Sequence, residues 1–322
     1  MRKKPIKRLL AMALAVVCAV GLTSTAWAID QPPVNSATSA CVMDVDSGRI
    51  LYSKNENAER CIASITKIMT AILVIENNTD FNQVITASKT AAAEDGTSLY
   101  LVEGDKLTLM TGLYGTMLRS GNDAAVAIAE HTAGSVEKFV KMMNDKAKEL
   151  GMTHSHFSWP NGLIDEDNYS SAKDMAILSS YAMKNKLFAK IVKTGYIETK
   201  DGYQIENHNR MLSRDKRCIG VKTGFTTLAG RTLVTCFKNP DNGQRIVIVT
   251  LNNYDHYNDH QRLCNWAFDN FRQTTLMKKK AKVATVNSGG KTAELVAKKK
   301  VTWPSKDDEA RRITSSFYVH SN

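Results

Sequence analysis

The sequence predicts an α+β domain, with one antiparallel sheet built from both ends of the chain and a helical lobe between them. Three observations predict it. A strand–turn–strand pattern opens the folded part at 40–52. Apolar residues at helical spacing dominate 64–186. Runs rich in β-branched residues return at 219–223, 231–237 and 245–251. No internal repeat interrupts this order.

Residues 1–28 stand apart. Arg2, Lys3, Lys4, Lys7 and Arg8 precede an apolar run from Leu9 to Leu22, and Ala26-Trp27-Ala28 is a small-x-small cleavage site. This pattern is a secretory signal peptide, and the run is short for a membrane span. The residue before Cys18 is Val17, so lipidation is not expected. The chain is therefore expected outside the cytoplasm, secreted or associated with the cell envelope. Residues 29–39 read as a polar leader.

Ala40 to Tyr52 reads as a hairpin turning at Asp46-Ser47-Gly48. Next comes Ala63-Ser64-Ile65-Thr66-Lys67-Ile68-Met69, continuing to Glu76, a helix that is apolar nearly all round and hence buried. Residues 87–106 form a long polar loop of the kind that borders clefts. Helical spacing resumes over 107–118, breaks at Arg119-Ser120-Gly121-Asn122-Asp123, and continues over 124–131. An amphipathic helix over 136–150 ends at Gly151, Trp159-Pro160-Asn161-Gly162 is a turn, and another helix covers 171–186. The three late strands follow, the last two joined through Asn239-Pro240-Asp241-Asn242-Gly243. A helix over 260–272 closes the body. Lys278-Lys279-Lys280 and Gly289-Gly290 mark a linker, which divides the chain into a leader (1–28), a body (29–275) and a tail (276–322).

Charge follows the same division. The leader supplies +5 of the formal +11, and the tail has eleven Lys or Arg against four Asp or Glu, a net of +7, which leaves the body at −1. A basic tail on an exported chain suits an anionic membrane or wall polymer, and a solvated tail explains it equally well. No nucleic-acid partner is expected. Five cysteines follow the leader at wide spacing without C-x-x-C, so they form neither a disulfide framework nor a zinc site and read as small buried residues.

Ser64 and Lys67 share a helix face one turn apart. A hydroxyl and an amine so placed can serve as nucleophile and base, and the start of a helix supplies N–H donors for an oxyanion. Ser-x-x-Lys recurs at Ser135, Ser170 and Ser213. The first two precede helices and read as N-caps or their neighbours, and the third lies in a charged loop. Lys67 differs because a buried lysine needs a reason. Ser120-Gly121-Asn122 sits where a helix breaks, while Ser53-Lys54-Asn55 reads as a hairpin end. Lys222-Thr223-Gly224 ends a strand, while Lys193-Thr194-Gly195 ends a helix with the expected Gly cap.

The ordered trio Ser64-x-x-Lys67, Ser120-x-Asn122 and Lys222-Thr223-Gly224 resembles that of penicillin-binding proteins and class A β-lactamases, with Gly121 where aspartate is common. Met43-Asp44-Val45, Pro160-Asn161-Gly162-Leu163 and Gly220-Val221-Lys222-Thr223-Gly224-Phe225-Thr226 extend the resemblance over about residues 40–275 to the serine D-alanyl-D-alanine carboxypeptidases, the low-molecular-mass penicillin-binding proteins. It implies a β-lactamase/transpeptidase-like fold, a peptidoglycan stem peptide ending in D-Ala-D-Ala as substrate, β-lactams as inhibitors and no cofactor or metal. It also implies roles. Ser64 is the nucleophile, Lys67 its base and Ser120 the proton bridge, while Asn122 meets the substrate amide. Lys222 and Thr223 hold the terminal carboxylate, Gly224 lets substrate lie close, and the N–H groups of Ser64 and Phe225 form the oxyanion hole. As base Lys67 must titrate near 7 rather than about 10.4, a change of about 4 kcal/mol. Arg231 is the candidate for the arginine with which some relatives hold carboxylate. Relatives also carry a β-rich C-terminal domain, of which the tail is a remnant or a truncation.

Two other readings compete. A β-lactamase needs a further base for deacylation, and Glu166 is the residue available. A non-catalytic wall-binding protein would rest on the tail alone. His154, His156, His256 and His260 lack the spacing of a zinc peptidase and read as surface or loop residues.

Overall fold

Ser39–Asp44 (β1) is buried along its whole length, as a central strand covered on both faces must be. It pairs antiparallel with Ile50–Lys54 (β2) on one side. On the other side it pairs with a strand that arrives two hundred residues later, Ser39 opposite Leu251 and Asp44 opposite Ile246. The described residues of this computed structural model are 31–163, 166–288, 291–307, 309 and 312. The signal-peptide stretch, Gly289-Gly290 and residues 314–319 lie outside them. Residues 31–33 belong to a separate N-terminal unit; Val34 onward forms the second.

Cys218–Thr226 (β3), Gly230–Lys238 (β4) and Arg245–Leu251 (β5) complete a sheet of order β2-β1-β5-β4-β3, antiparallel throughout. Side chains alternate across it with period two. Cys41, Met43, Val45, Val247 and Val249 enter the core shared with the helical lobe. Val42, Ile246, Ile248 and Phe237 face the other way, onto Leu263, Cys264 and Ala267 of a C-terminal helix. The sheet is thus a middle layer, which explains why its strands read as nearly continuous apolar runs.

The lobe is organised around Lys67–Asn77 (α1), buried from Lys67 to Ile75 and entered through a 3-10 turn, Ala63–Thr66. Leu109–Tyr114 (α2) runs into a π-helical turn, Gly115–Arg119, and stops at Ser120, which is left-handed at φ 72°. Asn122–Ala133 (α3) and Val136–Glu149 (α4) follow, then Ala172–Ala182 (α5), which packs on β1 and β5, and Lys186–Lys193 (α6). His256–Asn270 (α7) covers the opposite face. Ser135 and Ser171 cap α4 and α5 through their hydroxyls, the structural role their sequence suggests.

Two readings are corrected. His260 is no surface residue: it is fully buried between β4 and β5, Nδ1 2.7 Å from Thr235 Oγ1 and Nε2 2.9 Å from Thr250 Oγ1. Its side of α7 faces the sheet, and burial pushes the imidazole down to about 3. The closing helix also begins at His256, four residues earlier than its sequence suggests.

Beyond α7 the chain continues as strands. Arg272–Met277 (β6) pairs with Val301–Ser305, and Lys282–Ser288 with Lys291–Val296. The body–tail division at 275/276 falls inside β6. All five cysteines of the body are free, and Cys41, Cys218, Cys236 and Cys264 are buried. Among the described residues no helix is long and apolar enough to cross a membrane.

Candidate active site

The 3-10 turn carrying Ser64 lies against the end of β3, where the helical lobe meets the edge of the sheet. Ala63, just before the serine, adopts φ 52°, a region sparsely populated by side-chain-bearing residues. Thr232 of β4 donates to Ile62 O at 3.0 Å and ties the turn to the sheet. A Cβ on Gly224 would lie 2.4 Å from Thr232 Oγ1 and 3.1 Å from Ser64 N, so only glycine lets β3 approach the nucleophile this closely.

Lys67 is fully buried. Its Nζ lies 3.0 Å from Ser64 Oγ, 2.7 Å from Asn122 Oδ1 and 2.7 Å from Asn161 O. Two carbonyl oxygens thus take two N–H bonds. In the neutral amine the lone pair is then left aimed at the serine hydroxyl. Burial holds the ammonium form well below its ordinary range, and the charge of Lys222 adds to this; Glu94 and Asp123 act in the other sense. Lys222 is buried too, donates to Thr223 O at 3.0 Å, and is pushed by burial to about 7.

Ser120 is almost buried and reaches the cleft from the left-handed break before α3. Asn122, the first residue of α3, accepts from Lys67 and donates to Asp95 O at 2.6 Å. At Gly121, where aspartate is common, an added Cβ would stand 3.0 Å from Asp123 Oδ1 and 3.3 Å from Ala124 Cβ. Asp123 is buried and accepts from the backbone N–H groups of Leu99 and Leu101, both at 3.0 Å, from Ala124 N–H at 2.7 Å and from the Ser98 hydroxyl, so it clasps the loop of residues 98–101 to the site.

An open cleft of about 560 Å³ joins these parts. Ser64, Ser120, Thr223, Gly224 and Phe225 line it, while Lys67, Asn122 and Lys222 stand behind them, 0–2% exposed. The eight residues singled out by the motifs therefore converge on one place. Arg231 lines the cleft as well, its guanidinium 5.4 Å from the Phe225 ring centroid. Ser213 is an exposed residue of a one-turn helix and does not line the cleft, and Lys193-Thr194-Gly195 closes α6 with Thr194 Oγ1 bonded to Lys190 O at 2.9 Å. Glu166 is exposed and does not line the cleft. Among the described residues no group of three His, Cys, Asp or Glu could hold a metal ion.

Sequence reasoning missed Glu94. Its carboxylate accepts from Asn161 Nδ2 at 2.6 Å and from Trp159 Nε1 at 2.8 Å, so it fixes the turn whose carbonyl orients Lys67. No spacing in the sequence connects Glu94 to this turn. Asn161 itself lay in a family motif, but only the fold shows what its carbonyl does.

Residues 26–255 match the family described as D-alanyl-D-alanine carboxypeptidase. The chain is 34% identical over 296 residues to the D-alanyl-D-alanine carboxypeptidase DacF of Bacillus subtilis, covering 87% of this chain and 76% of that protein. Penicillin binding protein 5 from Haemophilus influenzae superposes with a TM-score of 0.76 at 26% identity, over 85% of this chain and 84% of that one. A Streptomyces DD-transpeptidase superposes with a TM-score of 0.68 at 31% identity, over 74% of this chain and 99% of that one. The fold is therefore transpeptidase/β-lactamase-like, as the sequence resemblance implied.

Proposed function

The chain belongs to the D-alanyl-D-alanine carboxypeptidase family, and from that membership we propose that it removes the terminal D-alanine of peptidoglycan stem peptides through an acyl-enzyme on Ser64. It is a serine-type hydrolase of cell-wall metabolism. One observation carries the finer reading: a fully buried lysine amine, depressed toward its neutral form, 3.0 Å from a serine oxygen at the wall of a cleft.

Lys67 takes the Ser64 proton as Oγ attacks the penultimate carbonyl. The N–H groups of Ser64 and Phe225 receive the oxyanion. Asn122 keeps Lys67 in place and offers its remaining N–H to the substrate amide. Ser120 relays the proton to the leaving amine. Lys222 and Thr223 hold the terminal carboxylate, and water then hydrolyses the ester. A β-lactam presents a strained amide and a carboxylate to the same groups and acylates Ser64.

The β-lactamase alternative lacks support, because Glu166 is exposed away from the cleft. The N-terminal leader supports export, and the basic tail supports attraction to an anionic wall polymer or membrane. Fluorescent penicillin tests the reading. Stable labelling lost in Ser64→Ala is expected. Rapid turnover of the label would instead favour a β-lactamase, and no labelling would favour a non-catalytic wall-binding protein.

A further inference from the structure

Asn122 can serve the reaction only one way round. Its amide oxygen accepts from Lys67 Nζ at 2.7 Å, and its amide nitrogen donates one N–H to Asp95 O at 2.6 Å, which leaves the second N–H for the substrate. Turned over, the same amide would set N–H groups against the Lys67 amine and its oxygen against the Asp95 carbonyl. The two ends of an amide are alike in shape, so its hydrogen-bond partners decide which way it faces. The backbone N–H of Asn122 donates to Thr97 O at 2.8 Å. Gly96 lies between those two carbonyls at φ 83°, and a Cβ there would stand 3.0 Å from Asn122 Nδ2. Residues 95–97 therefore lie against Asn122 as the start of a strap, and Thr97 also lines the cleft.

The next residue of α3 holds the rest of this strap. Asp123 is buried, and its carboxylate accepts from the Ser98 hydroxyl and from the N–H groups of Leu99 and Leu101, both at 3.0 Å. Ser98 Oγ in turn accepts from Tyr100 N–H at 2.8 Å. Three successive N–H groups thus converge on Ser98 and Asp123. Between the two bonds to Asp123, Tyr100 adopts φ 64°, an outlier for a bulky residue, while its ring stays 75% exposed. Ring burial does not offset that strain, so the conformation depends on the groups that grip the backbone. Asn122 and Asp123 hold one segment from adjacent positions, and the segment closes back on the Asn122 amide.

We propose that Asp123 is a positioning residue: through the strap of residues 95–101 it fixes the Asn122 amide with its oxygen on Lys67 and an N–H toward the substrate. The proposal rests on the carboxypeptidase reading of the same cleft. Asp123 also acts on the base through its charge. The charged groups facing Lys67 are Lys222 from β3, Glu94 from just before the strap and Asp123 from α3; Lys222 favours the neutral amine, and the two carboxylates oppose it. Removing the Asp123 carboxylate therefore has two signatures, a misaimed amide that slows acylation and an acid limb displaced to lower pH.

The test follows penicillin acylation of the full chain against pH in a single turnover. Asp123→Asn should lower the limiting rate roughly 30-fold, with the initial binding of penicillin changed less, and should move the acid limb to lower pH. Asp123→Glu restores a carboxylate and should return the limb and part of the rate. Asn122→Ala removes the group through which Asp123 acts, so adding Asp123→Asn to it should cost no more than about threefold further. Ser98→Ala loosens the strap and keeps the carboxylate. It should cost a few-fold alone, nothing further beside Asn122→Ala, and leave the limb in place; it carries the same cycle if Asp123→Asn does not fold. Effects that multiply across either cycle overturn the proposal. So does a slower Asp123→Asn enzyme whose acid limb has not moved, since the carboxylate would then only support the fold. In the wild type, acylation without release of D-alanine from a D-Ala-D-Ala peptide overturns the carboxypeptidase reading alone, and absence of acylation overturns both.

Discussion

The active cleft and the C-terminal strands use the same residue in opposite ways. Lys67 and Lys222 are buried, and neither is in an ion pair; their hydrogen bonds run to neutral oxygens. The lysines at 278–280 and 298–300 are exposed, and Lys282 meets Glu294 at 2.5 Å with both side chains more than half exposed. Water stabilises the ammonium form in the second region, whereas burial destabilises it in the first. Burial between the sheet and the helical lobe makes a lysine charge costly at residues 67 and 222, and the strands after α7 leave it solvated.

The largest break in that comparison is chemical. Ser64→Ala should lower acylation and peptide hydrolysis by on the order of 10⁴-fold or more while the protein stays folded. Mass spectrometry after penicillin treatment should find one adduct, on Ser64; an adduct on Ser135, Ser170 or Ser213 would contradict the assignment. Lys67→Arg keeps a positive charge but cannot release a proton, so it should lose roughly 10³-fold. Activity within a few-fold of wild type would make Lys67 an electrostatic partner and no base.

A smaller effect should come from Glu94, which is bonded to Asn161 and reaches Lys67 itself through charge alone. Glu94→Ala frees the turn that aims Lys67, and roughly a tenfold fall in the acylation rate is expected, with the binding of substrate little changed. A loss of binding with an unchanged rate would show that Glu94 acts elsewhere. This residue also marks what the sequence could not reveal. The trio was legible because each member sits at a recognisable stop: a helix start, a helix break and a strand end. The early hairpin and the late strands were legible from alternation and turn residues. Glu94 reaches its partner Asn161 across 67 positions, and Asp123 clasps a loop more than twenty residues away; such links arise from packing, which no local pattern encodes. His260 was misread for a related reason, since a lone histidine looks the same in sequence whether it faces water or a threonine pair between two strands.

The pH behaviour sharpens the contrast between buried and exposed lysines. Lys222 helps to lower Lys67, so Lys222→Gln should move the acid limb of penicillin acylation to higher pH, in addition to weakening carboxylate binding. Lys222 itself is depressed to about 7 by burial. Between pH 7 and its ordinary range near 10.5 the unfolded chain therefore holds the proton that the folded chain has lost. Stability contributed through this group should rise with pH across that window, and it should be flat below it. Urea unfolding at pH 7 and pH 9 checks the sign when the wild type is compared with Lys222→Met; a difference that stays flat between the two would show that Lys222 remains charged in the folded chain. The exposed lysines of the tail should contribute no comparable slope.

The smallest effect concerns how the basic region is held. Arg49, at the start of the hairpin's return strand, makes a bidentate pair with Glu309 at 2.8 and 2.9 Å and donates to Pro304 O at 2.5 Å. Its guanidinium also lies 5.2 Å from the Phe271 centroid and 5.7 Å from that of Trp303. Gln273 of β6 donates to Asp44 of β1 at 2.9 Å. These links fasten the chain after α7 to the central sheet, on elements that carry none of the proposed catalytic side chains. Arg49→Ala should therefore cost about 1–2 kcal/mol, because the pair is only partly buried, and should lower Tm by a few degrees. Deletion of 276–322 removes Glu309, Pro304 and the strand partner of β6, and should cost more in Tm while hydrolysis of a soluble D-Ala-D-Ala peptide stays within about twofold of wild type. The same truncation should reduce sedimentation with purified walls or anionic vesicles at low salt, where each basic residue near the surface is worth about 1 kcal/mol. Loss of peptide hydrolysis in a truncated chain that remains folded at the assay temperature would mean that the tail shapes the cleft. Unchanged wall binding would mean that its charge serves no such attraction.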